Sequence, residues 1–503
     1  MDLHLRIRDA SGLVVVDVNR ISVTTPGGTV VPTPTGDGGW TAALPQPFVA
    51  PTHLRLEIDS GRFYPYVVTF VITRTSDGQL SIVCTGPSYG RLTLTPGVVD
   101  VAAVLSRLKR VDAPPDPSII PQPFGPNWYH KQTGDEGSFF KGNEHPQIKL
   151  KEPLLGPSTA EGIARLTYDL QTPVRPSGRI YVFELKTATA PRLLFVWHPV
   201  QMHFPSARPG GSAGPISYHF YYHPTAKDPT AYPYGRNQAG VQPHVLVGYR
   251  HLMFETSATV QLYYARRRVV WVVPVASPAH QFGEAATTVG VRSILNEINL
   301  ALHSANAAYE HYERQPVGRV AMSGFSAGAL QLVAALSDRS SPLGQSFLQN
   351  NVKEIYCWDG ATDPPNQVPA PFGAVVKNWW RDADQKVRVY TQDAEYAKHL
   401  AFLQKHAAPT VKGAGGSYVL NWAKDGKDFG TMVYLPDPFF RSAYLPHEDP
   451  VRVYQGKDRH PTDKGFPSYR DTHHWFFTVA MYHALSRSGF PTYVAMDSST
   501  LTP

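Results

Sequence analysis

The chain has 503 residues, of which 42% are hydrophobic, and this length exceeds what one hydrophobic core usually organises, which predicts two domains. No apolar run reaches the roughly 18 residues of a membrane-spanning helix, so we expect a globular protein without a membrane span. The formal net charge is +7, but the basic residues are mostly scattered, so we expect no nucleic-acid partner and interpret the cluster Arg266-Arg267-Arg268 as a solvated strand entrance.

The composition also limits the cofactors and the compartment. Two cysteines, Cys84 and Cys357, are too few for a disulfide framework. The 20 histidines occur without H-E-x-x-H or C-x-x-C spacing, so we expect neither a metal site nor an organic cofactor. The start, MDLHLRIRDASG, lacks the regions of a secretory signal, which predicts a cytoplasmic protein or one released without a recognisable signal peptide. The oligomeric state is left open.

Residues 1–112 consist of short runs in which apolar and polar residues alternate, separated by glycine-rich turns such as TPGG and TGDGG. The runs are HLRIRD, LVVVDV, HLRLEI, YVVTFVITR and LSIVCTG. This pattern predicts a small all-β, sandwich-like domain, with a short closing helix at residues 99–111 (VDVAAVLSRLKRV). Residues 113–126 are rich in proline, which excludes helix and central strand and predicts a linker.

In residues 127–503, apolar runs alternate with stretches of helical spacing. The expected strands are GRIYVFEL, RLLFVWH, RRVVWVVPVAS, VGRVAMSG, VKEIYCWDG, KVRVYTQD and DFGTMVYLP. The expected helices are VRSILNEINLALHSANAAYEHY, AGALQLVAAL, AEYAKHLAFLQKH and HWFFTVAMYHALSRSG. Such alternation is typical of an α/β fold that has a mainly parallel sheet with helices on both faces.

Two serines lie in a G-x-S-x-G pattern, which often marks a nucleophile: Ser212 in GGSAG and Ser326 in GFSAG. A nucleophile elbow needs a strand before the serine and a helix after it. Ser212 follows FPSARPGG and stands shortly before a proline, so we interpret it as part of a loop. Ser326 lies between VGRVAM and AGALQLVAAL, so we predict that it is the nucleophile. The backbone N–H of Ala327, at the helix start, is then a candidate oxyanion donor.

With this strand, serine and helix, residues 175–490 resemble the α/β-hydrolase superfamily, and its serine esterases and lipases in particular. The resemblance implies a serine on the elbow after the fifth strand, an acid at a later strand end and a histidine near the C-terminus. It also implies catalysis through a covalent acyl-enzyme intermediate, without a cofactor.

The acid and the base each have two candidates. Asp359 in YCWDGATD and Asp393 in VYTQDAEY both follow predicted strands. The resemblance favours Asp393, because the acid of most relatives follows the later strand, whereas Asp359 is the alternative and also suits a simple strand-end turn. His473 and His474 lie at the start of the last predicted helix. The resemblance favours His473 as the base, because the histidine of related esterases is commonly followed by one variable residue and then by aromatic residues, with His474 as the alternative.

The resemblance places a second oxyanion donor in the loop after RLLFVWH. Many relatives have His-Gly there, whereas this chain has His198-Pro199, and proline has no N–H to donate. The expected donor is therefore the backbone N–H of Val200 or Gln201.

The long stretch between His198 and residue 268 contains SYHFYYHPTAKDPTAYPYGRNQAG. Its aromatic content suits either a wall over the active site or an ordered surface excursion. In the same way, the NWW at residues 378–380 suits either a pocket or the core.

The sequence therefore predicts a serine hydrolase that cleaves small-molecule or polymeric carboxylic esters with a Ser-His-Asp triad. A serine peptidase and an acyltransferase are alternatives, because fold and triad do not determine the acyl acceptor. A further alternative is a catalytically silent binding protein whose sandwich domain recognises a polymer or another protein.

Overall fold

The structure is a computed structural model of the full chain. It describes residues 1–45, 51–84, 90–111, 147–153, 164–169, 178–189, 191, 193–199, 215–224, 265, 267–277, 281–305, 316–360, 375–376, 379–381, 384–392, 411–412, 418–424, 427–435, 480–481 and 483–492. The predicted linker at residues 113–126 lies outside these ranges.

Two five-stranded sheets account for most of the first hundred residues. Their strands are β1 (Asp2–Asp9), β2 (Arg20–Thr25), β3 (Gly28–Val30), β4 (Thr33–Pro34), β5 (Gly39–Ala43), β6 (Thr52–Asp59), β7 (Tyr66–Arg74), β8 (Leu80–Cys84), β9 (Gly90–Thr95) and β10 (Val98–Leu105). The strand orders are β4-β5-β1-β10-β9 and β3-β2-β6-β7-β8. The β1–β10 pair is parallel, and the other pairs in these two sheets are antiparallel.

Strict alternation of side chains builds the core of this part. Leu3 and Leu5 on β1 and Leu54 and Leu56 on β6 are buried, while the residues between them are exposed. Because successive side chains of a strand point to opposite faces, each run contributes one apolar face. These faces meet in a single apolar cluster that contains residues of both sheets, as the pattern of a sandwich requires.

Residues 99–111 are strands and not the expected helix, so that prediction is wrong. They form most of β10 and all of β11 (Leu108–Val111). Their alanine, leucine, lysine and arginine residues have high helix propensity. However, Val99, Val101, Ala103 and Leu105 are buried at every second position, and pairing with β1 holds them on the core face. Tertiary pairing here overrides the local preference.

The run LVVVDV at residues 13–18, expected as a strand, forms no named strand. Within it the structure has an isolated bridge between Arg8 and Val14. Leu13 is 54% exposed and Val16 80% exposed, whereas Val15 is buried in the core and Val18 packs against it, so only part of this run contributes apolar surface.

The large sheet has eleven strands in the order β11-β14-β15-β17-β16-β18-β19-β20-β23-β22-β21. Besides β11, its members are β14 (Gly178–Leu185), β15 (Leu193–Pro199), β16 (Ile216–Tyr222), β17 (Val270–Pro274), β18 (Val317–Phe325), β19 (Val352–Trp358), β20 (Lys386–Thr391), β21 (Val411–Lys412), β22 (Tyr418–Lys424) and β23 (Lys427–Tyr434). The strands β12 (Gln147–Pro153) and β13 (Ala164–Asp169) form a separate antiparallel pair.

The centre of the large sheet is parallel, which confirms the expected mainly parallel sheet. Six neighbouring strands, β17-β16-β18-β19-β20-β23, run in one direction. On their two sides β15 and β22 run antiparallel. All residues of β16 and β17 are buried, as expected for strands that are covered on both faces. Counted from β14, the strand that ends at the predicted nucleophile, β18, is the fifth.

Three helices have defined bounds: α1 (Thr288–Ala305), α2 (Gly328–Ser337) and α3 (Pro342–Asn350), with a 3-10 helix at Gly283–Ala286 before α1. Residues 480–481 and 483–486 are also helical, within the last predicted helix. The predicted helix AEYAKHLAFLQKH lies outside the described residues. None of the described helices combines the length and the apolar character of a membrane span.

The chain divides into two compact units, each of which consists of segments that are not consecutive in the sequence. One consists of Met1–Arg110, Glu184–Ala188 and Arg292–Pro316, and the other contains the remaining residues. Most of α1 therefore belongs with the two five-stranded sheets, which a division at the predicted linker does not anticipate. The candidate site lies in the second unit.

Candidate active site

Ser326 occupies a sharp turn between a buried strand and an apolar helix. The last six residues of β18 are buried, whereas Ser326 is half-buried, so the chain brings this serine out of the core. Its φ of 53° lies in the left-handed region, which is unfavourable for a residue with a side chain. Two backbone hydrogen bonds, both 3.0 Å, hold the turn. The Ser326 N–H donates to the carbonyl oxygen of Trp358, and the Ala329 N–H donates to the carbonyl oxygen of Ser326.

The two glycines of the GFSAG motif allow this turn for steric reasons. A Cβ atom on Gly324 would lie 2.5 Å from the Gly328 carbonyl oxygen. A Cβ atom on Gly328 would overlap the carbonyl oxygen of Tyr222, the last residue of β16. Strand, turn and helix can therefore pack this closely only where both positions lack a side chain.

The start of α2 presents a backbone donor next to Ser326. Ala327 precedes the helix and is half-buried, and its carbonyl oxygen accepts the Leu330 N–H at 3.2 Å. In the part of the chain that the structure describes, none of the hydrogen bonds uses the Ala327 N–H. The N-terminus of a helix carries partial positive charge. Negative charge that develops beside Ser326 is therefore stabilised there.

Asp359 directly follows β19, the strand that pairs with β18. It is fully buried and has a φ of 40°. Its N–H donates to the Tyr390 oxygen at 2.7 Å, and its Oδ1 accepts the Gln392 N–H at 2.9 Å. Among the described residues, Ser326 and Asp359 are the non-glycine residues with positive φ. Backbone strain of this kind is concentrated at functional sites.

His223 follows β16 at the same edge of the sheet as Ser326. Its neighbour Tyr222 is in register with Gly324, two residues before the serine. The ring is buried, and its Nε2 accepts the Ala276 N–H at 3.0 Å. The proton is therefore on Nδ1, which donates to the Pro224 oxygen at 2.8 Å. With these two hydrogen bonds, the His223 ring connects the chain segments that follow β16 and β17.

The interpretation of SYHFYY as an active-site wall or surface excursion is wrong, because these residues belong to β16. This strand pairs with β17 on one side and β18 on the other. Tyr218, Phe220 and Tyr222 are fully buried. A continuous apolar run is the signal for a buried strand, but Ser217 and His219 interrupt the five apolar and aromatic residues of this seven-residue strand and obscured that signal. The rest of the stretch, from residue 225 to residue 264, lies outside the described residues.

The loop after β15 begins at the edge of the sheet opposite to Ser326. Because β15 is antiparallel to β17, Leu194 pairs with Pro274, and Trp197 pairs with Trp271 nearer the start of β17. Val200 and Gln201 lie outside the described residues, so their role as oxyanion donors stays an untested prediction.

A second histidine–serine pair lies inside the sheet. His219 Nε2 is 2.7 Å from Ser323 Oγ, and both side chains are buried. The His219 ring centroid is 4.0 Å from that of Trp271, and burial lowers the pKa of His219 well below its usual value. Since substrate cannot reach Ser323, this pair stabilises the core and offers no nucleophile.

The arginine cluster contributes to the attachment of the last helix. Arg267 is half-buried and donates to the carbonyl oxygens of Leu485 and Phe490, each at 2.9 Å, and to that of Ser486. The prediction that the arginine cluster is a solvated strand entrance is therefore wrong for Arg267. Helix C-termini leave carbonyl groups without intrahelical partners, and a guanidinium satisfies several at once.

Tyr390 and His483 attach the same helix to the sheet. The Tyr390 hydroxyl is 2.6 Å from His483 Nδ1, and both residues are buried. In the NWW stretch, Trp379 is buried and its Nε1 donates to the carbonyl oxygens of Leu348 and Val352, both at 3.2 Å, so it belongs to the core. Asn378 lies outside the described residues.

The structure brings together three of the predicted site residues, Ser326, Ala327 and Asp359, at one edge of the parallel strands. The favoured acid Asp393, both histidines (His473 and His474) and the rejected Ser212 lie outside the described residues. Within the described residues, no three His, Cys, Asp or Glu side chains are close enough to hold a metal ion.

Comparison with known proteins gives distant structural similarity alone. No family model matches the sequence, and no curated protein matches it. The fluorophosphonate-binding serine hydrolase FphF from Staphylococcus aureus is 12% identical and covers 45% of this chain and 85% of its own, with a TM-score of 0.26. Prolyl oligopeptidase B from Galerina marginata is 7% identical, with 90% and 54% covered and a TM-score of 0.24. The acylaminoacyl peptidase from Pyrococcus horikoshii is 11% identical, with 70% and 48% covered and a TM-score of 0.23. This chain spans about half the length of the two peptidases.

Proposed function

We propose that the chain is a serine hydrolase of the α/β-hydrolase type that cleaves carboxylic esters through an acyl-enzyme intermediate. The observation that carries this proposal is the left-handed backbone of Ser326 between the fifth strand and an apolar helix. A strained serine in this setting is exposed to substrate and lies beside the positive end of a helix.

In the proposed reaction, Ser326 Oγ attacks the ester carbonyl carbon while His473 accepts the hydroxyl proton. Asp393 orients the histidine and stabilises its protonated form. The oxyanion of the tetrahedral intermediate accepts the Ala327 N–H, and a second donor comes from another loop. His473 then protonates the leaving alcohol, and a water molecule hydrolyses the acyl-enzyme by the same steps.

The proposal is tested by covalent labelling with a fluorophosphonate probe, which reacts with activated serines. The wild-type protein should be labelled, and Ser326→Ala should abolish labelling and lower ester turnover by about 10⁴-fold or more. The matched control is Ser212→Ala, in the second G-x-S-x-G pattern, which should keep both signals. An unlabelled wild-type protein would instead support the silent binding protein, and loss of activity in Ser212→Ala would move the nucleophile.

The acyl acceptor and leaving group are tested separately. A panel of nitrophenyl esters of increasing chain length, set beside the matching amides, should give much faster turnover of the esters. Equal or faster cleavage of the amides would make the protein a peptidase, and ester formation with added alcohols in place of hydrolysis would make it an acyltransferase.

A further inference from the structure

We propose that Asp359 is a positioning residue that holds the nucleophile turn in register with Gln392, the residue before the proposed acid, and that it is not the triad acid. This inference rests on the proposed function. It concerns the three neighbouring strands β18, β19 and β20, whose carboxyl ends lie at the same edge of the sheet.

A series of hydrogen bonds joins the three strand ends. The Ser326 N–H donates to the oxygen of Trp358, which directly precedes Asp359. The Asp359 N–H donates to the Tyr390 oxygen at 2.7 Å, and the Asp359 carboxylate accepts the Gln392 N–H at 2.9 Å. Gln392 directly precedes Asp393 in the chain. Trp358 and Asp359 together therefore connect the serine turn to Tyr390 and Gln392.

The backbone at Asp359 is held against the nucleophile helix. A Cβ atom on the next residue, Gly360, would overlap the Cβ of Ala329 in the first turn of α2 and would lie 3.0 Å from Cys357 Sγ. The left-handed φ of Asp359 is unfavourable and persists only where surrounding contacts hold it. A change of conformation at Asp359 is therefore transmitted both to the start of α2 and to Gln392.

The chemistry of the two roles differs in its need for charge. A positioning residue needs an oxygen acceptor for the Gln392 N–H and tolerance of a left-handed backbone, and asparagine supplies both. A triad acid needs a negative charge to stabilise the imidazolium and to select its tautomer, which asparagine does not supply. The replacement of Asp359 by asparagine separates the two roles.

The experiment compares Asp359→Asn with Asp359→Gly, which permits the left-handed backbone without strain but has no acceptor. We expect Asp359→Asn to lose less than about tenfold in kcat. We expect Asp359→Gly to lose about 10²-fold in kcat with KM changed less than about threefold, because the geometry of the reacting groups is altered and binding is retained. The rise of kcat/KM with pH should keep its midpoint in both variants, because the base is the same.

The control is Asp338→Ala. Asp338 directly follows α2, at the end of that helix opposite to Ser326, and the substitution removes its carboxylate acceptor. Asp338 Oδ2 accepts the Thr288 N–H at 3.2 Å. Its removal should cost stability and leave kcat within about twofold. Where Asp359→Gly does not fold, Asp359→Ala, which also lacks the acceptor, takes its place with at least the same expected loss in kcat.

Two results would overturn the inference. A loss of 10³-fold or more in folded Asp359→Asn would make Asp359 the triad acid. A kcat equal to that of the wild type in folded Asp359→Gly, which lacks the acceptor, would show that Asp359 does not position the reacting groups. Failure of the proposed function itself is recognised differently, since the wild-type protein would then not be labelled at Ser326.

Discussion

Glu297, on α1, is a buried carboxylate whose partners come from the turn between β10 and β11. Its Oε2 accepts the Ser106 hydroxyl at 2.8 Å and the Arg107 N–H at 3.1 Å, and its Oε1 is 3.4 Å from Arg107 Nε. Arg107 also donates to the Ser293 hydroxyl at 2.9 Å. Burial raises the pKa of Glu297 to about 7, although the arginine opposes this shift. The cluster therefore titrates near neutral pH.

Stability of the protein should depend on pH through Glu297. The folded pKa of about 7 lies above the usual glutamate pKa of 4.5, so the folded state binds the proton more tightly. This contribution is fully present below pH 4.5 and is lost as the pH rises through 7, by about 3 kcal/mol in total. Glu297→Gln should remove this part of the pH dependence. Urea unfolding at pH 5 and pH 8 measures it, and an unchanged difference between the two pH values would contradict the assignment.

At the scale of elements, the last helix is attached to the large sheet by a small number of polar contacts. Arg267 binds carbonyl oxygens at the end of the helix, and Tyr390 contacts His483 within it. Buried polar groups of this kind are costly when one partner is removed. The predicted base, His473, lies seven residues before the described helical residues 480–481 in the sequence.

Arg267→Ala should lower the free energy of unfolding by about 2–4 kcal/mol, because it leaves several carbonyl groups without donors. Arg267→Lys keeps the charge but lacks the planar fork, so about half of the loss is expected. Denaturant unfolding of the three proteins measures both effects. Equal stability of Arg267→Lys and the wild type would show that charge alone accounts for the attachment.

At the scale of the whole molecule, the compact unit that contains the two five-stranded sheets consists of segments that are far apart in the sequence. Residues of Met1–Arg110 and of Arg292–Pro316 belong to it together. Glu297 illustrates the dependence, because Ser106 and Arg107 satisfy its carboxylate. The buried carboxylate of α1 is therefore satisfied by residues from the first segment of the same unit.

Deletion of residues 1–112 should therefore give an insoluble or unfolded product, because α1 loses the partners of its buried residues. Co-expression of residues 1–112 as a separate chain should restore solubility. Fractionation after expression, followed by fluorophosphonate labelling, measures both. A soluble and active deletion variant would show that the catalytic part folds independently and that the boundary at residues 113–126 separates two autonomous domains.

Sequence alone was sufficient where the signal is local. Alternation at every second residue located β1, β6 and β7, and a long apolar run located β17. The strand before Ser326 and the helix after it were also predicted from neighbouring residues, and the structure has both. The glycines of GFSAG, which permit the close approach of strand and helix, are part of the same local signal.

The tertiary structure decided everything that depends on which strands are neighbours. That residues 99–111 are strands follows from pairing with β1, and that Tyr218–Tyr222 is core follows from the insertion of β16 between β17 and β18. The roles of Arg267 and Glu297 depend on partners about 200 residues away in the chain. For Asp359, the decisive contact is the Gln392 N–H on the next strand. Local preferences of the chain contain no information on these contacts, because strand order and long-range packing are set by the burial of apolar surface over the whole molecule.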